Sequence, residues 1–128
     1  MMSKAAILMG AVLALAAPMA AWAAPDSLVE VGLPDGRLAA AALESGNFTK
    51  AQRNLTVVRP DAANDPARLI NLGNAYVGMG RMADARTIYA RALYAPDAML
   101  TLANGTEESS RSIARRALGR VESSYAMR

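Results

Sequence analysis

Cysteine and histidine are both missing from the 128 residues. Without cysteine there is no disulfide framework, no thiol nucleophile and no attachment point for a lipid, so packing alone must hold the fold. Without histidine the chain lacks the side chain that titrates near neutrality, the usual general base and the commonest metal ligand. Lysine is nearly absent too: Lys4 and Lys50 stand against twelve arginines, which accounts for most of the high pI of about 9.7. The formal net charge is only +3, a balance that does not point to nucleic acid. Aromatic residues make up 5% of the chain, too few for a row of base-stacking platforms.

What is present begins with a change of character near residue 24. Met1 to Lys4 form a short head with one positive charge, and Ala5 to Ala17 is an unbroken run of Ala, Ile, Leu, Met, Gly and Val. Pro18 follows, then Ala21-Trp22-Ala23-Ala24-Pro25. A charged head, an apolar middle of about 7–15 residues and small residues at the end are the layout of a secretory signal. Small side chains at Ala21 and Ala23 favour a cut between Ala23 and Ala24. A retained anchor would need about 20 apolar residues, and Pro18 interrupts the run first. The expectation is an exported, periplasmic chain with residues 1–23 removed, and with them Lys4, so that the net charge falls from +3 to +2.

The remainder repeats itself at 34 residues. Gly46 matches Gly80, Phe48 matches Met82, Ala51 matches Ala85 and Leu55 matches Tyr89. Upstream, Leu38 matches Leu72, Ala39 matches Gly73 and Ala42 faces Tyr76; downstream, Val58 matches Ala92. Nearly every pair is small with small or apolar with apolar.

Local signals place four helices on this repeat. Asp65-Pro66 is an N-cap followed by proline at the first helical position. Leu69, Leu72, Tyr76 and Met79 then share one face at spacings of three and four. Gly80 ends that helix, and a second runs from Met82 to Ala95 with Met82, Ala85, Tyr89, Ala92 and Leu93 as its stripe before Pro96 stops it. In the first unit Asp35 caps a helix to about Ser45, Gly46 closes it, and a second helix runs from about Thr49 to Val58 before Pro60. Beyond Asp97 the period is lost. Met99-Leu100-Thr101-Leu102 is extended in character and Asn104-Gly105 is a tight-turn signal, so residues 97–108 read as a turn or small hairpin. Ser109 or Ser110 caps a last helix striped by Ile113, Ala117, Leu118 and Val121, to about Ser124.

Leu69, Leu72-Gly73, Tyr76, Gly80, Ala85, Tyr89, Ala92 and Pro96 together resemble the tetratricopeptide repeat (TPR), a 34-residue helix-turn-helix. The likeness is strong over Pro66 to Pro96, moderate over Asp35 to Pro60 and absent elsewhere. It implies an all-α, right-handed array of helical hairpins: an extended segment at 24–34, repeats at 35–60 and 66–96, the short β-hairpin, and a capping helix and tail at 109–128. It also implies a non-enzymatic scaffold or adaptor that takes a peptide or partner helix in a concave groove. Carried over by motif, the groove would be lined by Arg37, Ala40, Leu43 and Glu44 from the first unit, and by Ala67, Ile70, Asn71, Asn74, Val77 and Gly78 from the second. Asn71 and Asn74 could bond a peptide backbone irrespective of its sequence. Family members that clamp a terminal carboxylate pair asparagines with several cations; Asn74 and Arg37 fit, but Gly36 stands where lysine is usual.

Little else carries chemistry. There is no GxxxxGK[ST] loop, and Gly73, Gly78 and Gly80 lie within and after a helix rather than after a strand, so they are no nucleotide fingerprint. Glu107 and Glu108 are adjacent acids in a presumed turn, and Asp65 already serves as a cap. Ser109, Ser110 and Ser112 have no histidine or lysine partner in the sequence around them. The sequence therefore implies no enzyme, cofactor, metal or nucleic acid. The last helix carries Arg111, Arg115, Arg116 and Arg120 away from its apolar stripe, and an alternative function follows from them: contact with an anionic membrane surface through a basic amphipathic helix. Two repeats fall short of the roughly three that make such an array stable alone, so self-association or a partner is expected.

Overall fold

The computed structural model describes residues 29–31, 39–57 and 63–126, with side chains over 39–57 and 63–124. The leader 1–23 and Asp35, Arg37, Val58, Pro60 and Asp61 lie outside the described residues. Within them the chain is mostly helical, with one small sheet.

Four helices occupy the repeat region: α1 (Ala40–Glu44), α2 (Phe48–Thr56), α3 (Pro66–Gly78) and α4 (Met82–Tyr94). Their turns repeat atom for atom. Ser45 N donates to Ala41 O and Met79 N to Ala75 O, at 3.1 and 3.0 Å. Gly46 N reaches Leu43 O at 3.1 Å, and Gly80 N reaches Val77 O at 3.0 Å. Asn47 N and Arg81 N each donate at 2.8 Å, to Ala42 O and Tyr76 O. Each pair is 34 residues apart, and each turn closes on a glycine with φ of 75°. Such a closure satisfies the last carbonyls of a helix and requires the left-handed conformation that glycine takes at little cost. The sequence match at Gly46 and Gly80 therefore has a physical origin.

Burial repeats as well. Ala51 and Ala85 are fully buried, as are their successors Leu55 and Tyr89 to within 2%. Leu55 packs with Leu72 and Ala75 between α2 and α3, while Tyr89 packs with Ala117 and Val121 between α4 and the last helix, α5 (Ser110–Ala126). Thus α5 lies on α4 much as α3 lies on α2. Its outer side, with Arg111, Arg115, Gly119, Arg120 and Glu122 exposed, suits a terminal element.

The first helix is shorter than the sequence implies. Ala39 has φ of 52°, so no helix passes through it from Asp35, and α1 starts only at Ala40. The helix expected over 49–58 runs from Phe48 to Thr56, because the Asn47 side chain accepts from Lys50 N at 3.3 Å and caps it one residue earlier. In α3, Asp65 caps as anticipated, accepting from Arg68 N at 3.0 Å, with Pro66 at the first position.

The anticipated hairpin forms from β2 (Met99–Leu102) and β3 (Glu107–Ser109), with Gly105 at φ 83° in the turn. A third strand joins it: β1 (Val29–Val31) pairs antiparallel with β2, giving the order β1-β2-β3. The segment expected to be merely extended thus contributes to a sheet. Leu100 and Leu102 alternate inward from β2 and complete a core with Ala67, Ile70, Ala92, Ala95, Ile113 and Ala114. The sheet is in this way packed over α3 and α5.

Candidate functional site

The inner side of α3 is the binding surface that the sequence favours, and it is interior. Leu43, Ala67, Ile70, Asn71 and Asn74 are each fully buried. Ala67 and Ile70 face Leu100, Leu102, Ile113 and Ala114, so the chain's own hairpin and last helix fill the space a partner would enter. Sequence periodicity could not reveal this, since it shows which side of a helix is apolar and not what covers it. Of the remaining groove candidates, Ala40, Val77 and Gly78 are half-buried, Glu44 is exposed, and Arg37 lies outside the described residues. Gly78 has a packing role: a Cβ there would lie 2.3 Å from the Phe48 ring.

The two asparagines bond within the protein. Tyr89 Oη donates to Asn74 Oδ1 at 2.6 Å, and Asn74 Nδ2 donates to Asn71 Oδ1 at 3.2 Å. Buried amides require such partners, because an unmet polar group in the interior costs about 1–3 kcal/mol. The Tyr89 ring reaches this position by lying over Gly73, where any side chain would collide with it.

On α5 the four arginines do not form one face. Arg116 donates to Glu108 Oε1, which also accepts from Ser112 Oγ at 2.9 Å. This hydrogen bond from Arg116 holds the Glu108 carboxyl below its ordinary range, against an opposing push from burial. Arg111, Arg115 and Arg120 stay exposed, while Glu122 comes within 3.9 Å of Arg86 on α4. Glu107 and Glu108, the adjacent acids, are successive residues of β3 and so point to opposite faces. They make no carboxylate pair. Among the described residues no group of three metal-ligating side chains could hold a metal ion.

Two anchoring residues give no sign of their role in the sequence. Arg68 is buried; its Nη1 donates to Leu55 O at 2.7 Å and its Nη2 to Ala63 O at 3.0 Å. It thereby ties the end of α2 to the link before α3. Burial lowers its pKa, the neighbouring Arg91 lowers it further, and Asp65 opposes both. Asp97 Oδ1 accepts from Arg111 N at 3.0 Å and from Ser110 Oγ at 3.1 Å, capping α5 together with Ser109. The backbone bond from Arg111 is the main reason its carboxyl sits below the usual range. An arginine between two apolar residues does not show in sequence that its target lies thirteen residues upstream.

Shallow hollows on the described surface include three. One, of about 420 Å³, lies between α1 and α2 with both Glu44 and Lys50 on its wall. A second, of about 470 Å³, lies along α4 beside Ala83, Arg86, Thr87 and Ala90. A third, of about 340 Å³, opens where α4 ends, lined by Asn64, Ala90, Arg91, Tyr94, Ala95 and Pro96. Tyr94 is 86% exposed, the most exposed of the large apolar side chains there.

No protein-family model, curated protein or solved structure matches this chain. No helix among the described residues is long and apolar enough to cross a membrane.

Proposed function

We propose that this chain is a short TPR-type helical array, exported to the cell envelope, that acts as a non-enzymatic adaptor by binding another protein. The observation that carries the reading is the recurrence, at 34 residues, of the same turn hydrogen bonds at Ser45 to Asn47 and Met79 to Arg81. Stacked hairpins of this kind present long rigid faces, which suit them to docking rather than to chemistry. The leader-like residues 1–23 support export, and the absence of cysteine and histidine supports a binding role over catalysis.

Since the inner side of α3 is filled, docking falls to surfaces that stay open: the exposed side of α4, the end of α1 and the outer side of α5. The membrane-surface alternative would draw on Arg111, Arg115 and Arg120, without Arg116.

Site-specific photocrosslinking tests the adaptor reading. A benzoylphenylalanine replacing Glu44, Thr87, Tyr94 or Ser123 in turn, in the full chain in cells, should give an adduct from at least one position. The captured protein, purified, should bind the mature chain. Lipid adducts from Ser123 alone would favour the membrane alternative, and no adduct from any position would refute the proposal.

A further inference from the structure

We propose that Asn104 is a spontaneous modification site: its side-chain amide is lost as ammonia through a ring closed onto Gly105, leaving aspartate or isoaspartate in the turn between β2 and β3. The chemistry needs no partner and no enzyme.

Asparagine is a thermolabile residue, and its surroundings decide which one reacts. Of the six asparagines only Asn104 precedes a glycine, which has no side chain to obstruct attack by its own nitrogen. Asn54, Asn71 and Asn74 lie inside α2 and α3, where the helix fixes the following nitrogen, and Asn71 and Asn74 are also fully buried. Asn47 is held as the cap of α2, and Asn64 is followed by Asp65. Asn104, Gly105 and Thr106 are all exposed, so water and hydroxide reach the whole turn. Asn104 Oδ1 also accepts from Thr106 N at 2.9 Å, which folds the side chain back along the chain that follows it. That bond draws charge from Cγ and steadies the oxygen as it turns negative during attack.

The steps balance without an oxidant or a co-reactant other than water. Gly105 N loses its proton and bonds to Asn104 Cγ; the bond from Cγ to Nδ2 breaks, and ammonia leaves with that proton. Water then opens the ring on either side. Opening at Cγ gives aspartate, and opening at the main-chain carbonyl gives isoaspartate, whose backbone runs through Cβ and Cγ and is one carbon longer. Gly105 N donates to Leu102 O at 2.8 Å, so the tip of the turn must open first. Leu102 N donates to Thr106 O, also at 2.8 Å, and the longer backbone cannot keep both bonds. Since β2 holds Leu100 and Leu102 against Ala67 and Ile70, isoaspartate loosens the cover over α3.

The test follows the full chain in warm neutral buffer by tandem mass spectrometry. The segment 92–111, released by cleavage after Arg91 and Arg111, holds no other asparagine. It should gain one mass unit before any other asparagine does, at a rate within about tenfold of the free peptide acetyl-Leu-Ala-Asn-Gly-Thr-Glu-amide, because exposed turns open at little cost. The rate should rise with hydroxide. The isoaspartate chain, separated by chromatography, should melt at least about 4 °C below the parent. Asn104→Asp keeps the acceptor for Thr106 N and the normal backbone, and should melt with the parent. A slower rate than that, a first gain at another asparagine, indifference to pH, or an isoaspartate chain as stable as the parent would overturn the proposal.

Discussion

Replacing Gly73 by alanine sets a helix's preference against the packing around it. In an isolated helix the change should stabilise by about 0.5–1 kcal/mol, since glycine is the poorer helix former. Here the new Cβ would sit 2.4 Å from Tyr89 Cε1, 2.6 Å from Cδ1 and 2.9 Å from Cζ. The ring cannot simply swing aside. Tyr89 is only 2% exposed, and its hydroxyl is bonded to Asn74 at 2.6 Å. Either α3 and α4 separate, at about 1–3 kcal/mol for overpacking, or the hydrogen bond breaks and leaves Asn74 short of a partner, at about 1–3 kcal/mol. Packing wins: set against the helix gain, either cost leaves Gly73→Ala destabilised by about 1–2 kcal/mol. For a domain of this size each kcal/mol moves the melting temperature by roughly 4–8 °C, so calorimetry should show a fall of at least about 4 °C. Gly119→Ala is the control. It lies in α5 with nothing within 4 Å of the place its new methyl would take, and should raise stability by about 0.5–1 kcal/mol. Gly78→Ala should fall between the two, since the Phe48 ring it meets is half-buried and can shift. A Gly73→Ala protein as stable as the parent would refute the close seating of Tyr89 on α3.

Other outcomes follow from single contacts. Arg68→Met keeps the apolar stem but removes the donors to Leu55 O and Ala63 O, and should cost about 2–4 kcal/mol in urea unfolding. Asp65→Ala removes the cap on α3 and should cost about 1 kcal/mol by the same assay. Glu108 has its folded pKa depressed, so its contribution to stability is present above the unfolded carboxylate value and disappears as pH falls through the folded one. Stability measured from about pH 6 down to about pH 2 should therefore decline less steeply in Glu108→Gln than in the parent. If residues 1–23 act as an export leader, mass spectrometry of the chain expressed in cells should find a mature protein beginning at Ala24; an intact amino terminus would contradict that reading.

Much of the helical frame is legible because its signals are local. Asp65-Pro66, Gly46, Gly80 and Pro96 mark helix ends through their own backbone chemistry, and Asn104-Gly105 marks the hairpin for the same reason. The departures have a common cause, in that they depend on what lies across space. Ala39 takes a left-handed conformation that no alanine signals, so the first helix is shorter than its pattern. Val29–Val31 finds a partner in β2 some seventy residues on, and nothing near it announces the pairing. Asn71 and Asn74 are polar residues on a helix, which reads as solvation or recognition until both are seen to be buried, with Tyr89 bonded to Asn74. Arg116 belongs to a basic face by its spacing, and Glu108 draws it away. The hollow at Tyr94 unites a turn, the end of α4 and the residues after it, a combination with no periodicity to detect.

The decisive measurement is a set of inter-residue nuclear Overhauser contacts in the mature chain. Two copies of one helical hairpin stacked in sequence require contacts from Leu55 to Leu72 and Ala75, and from Tyr89 to Ala117 and Val121, with helical shifts over 48–56, 66–78, 82–94 and 110–126. Helical shifts without those contacts, or an extended backbone anywhere in 66–78, would contradict the account.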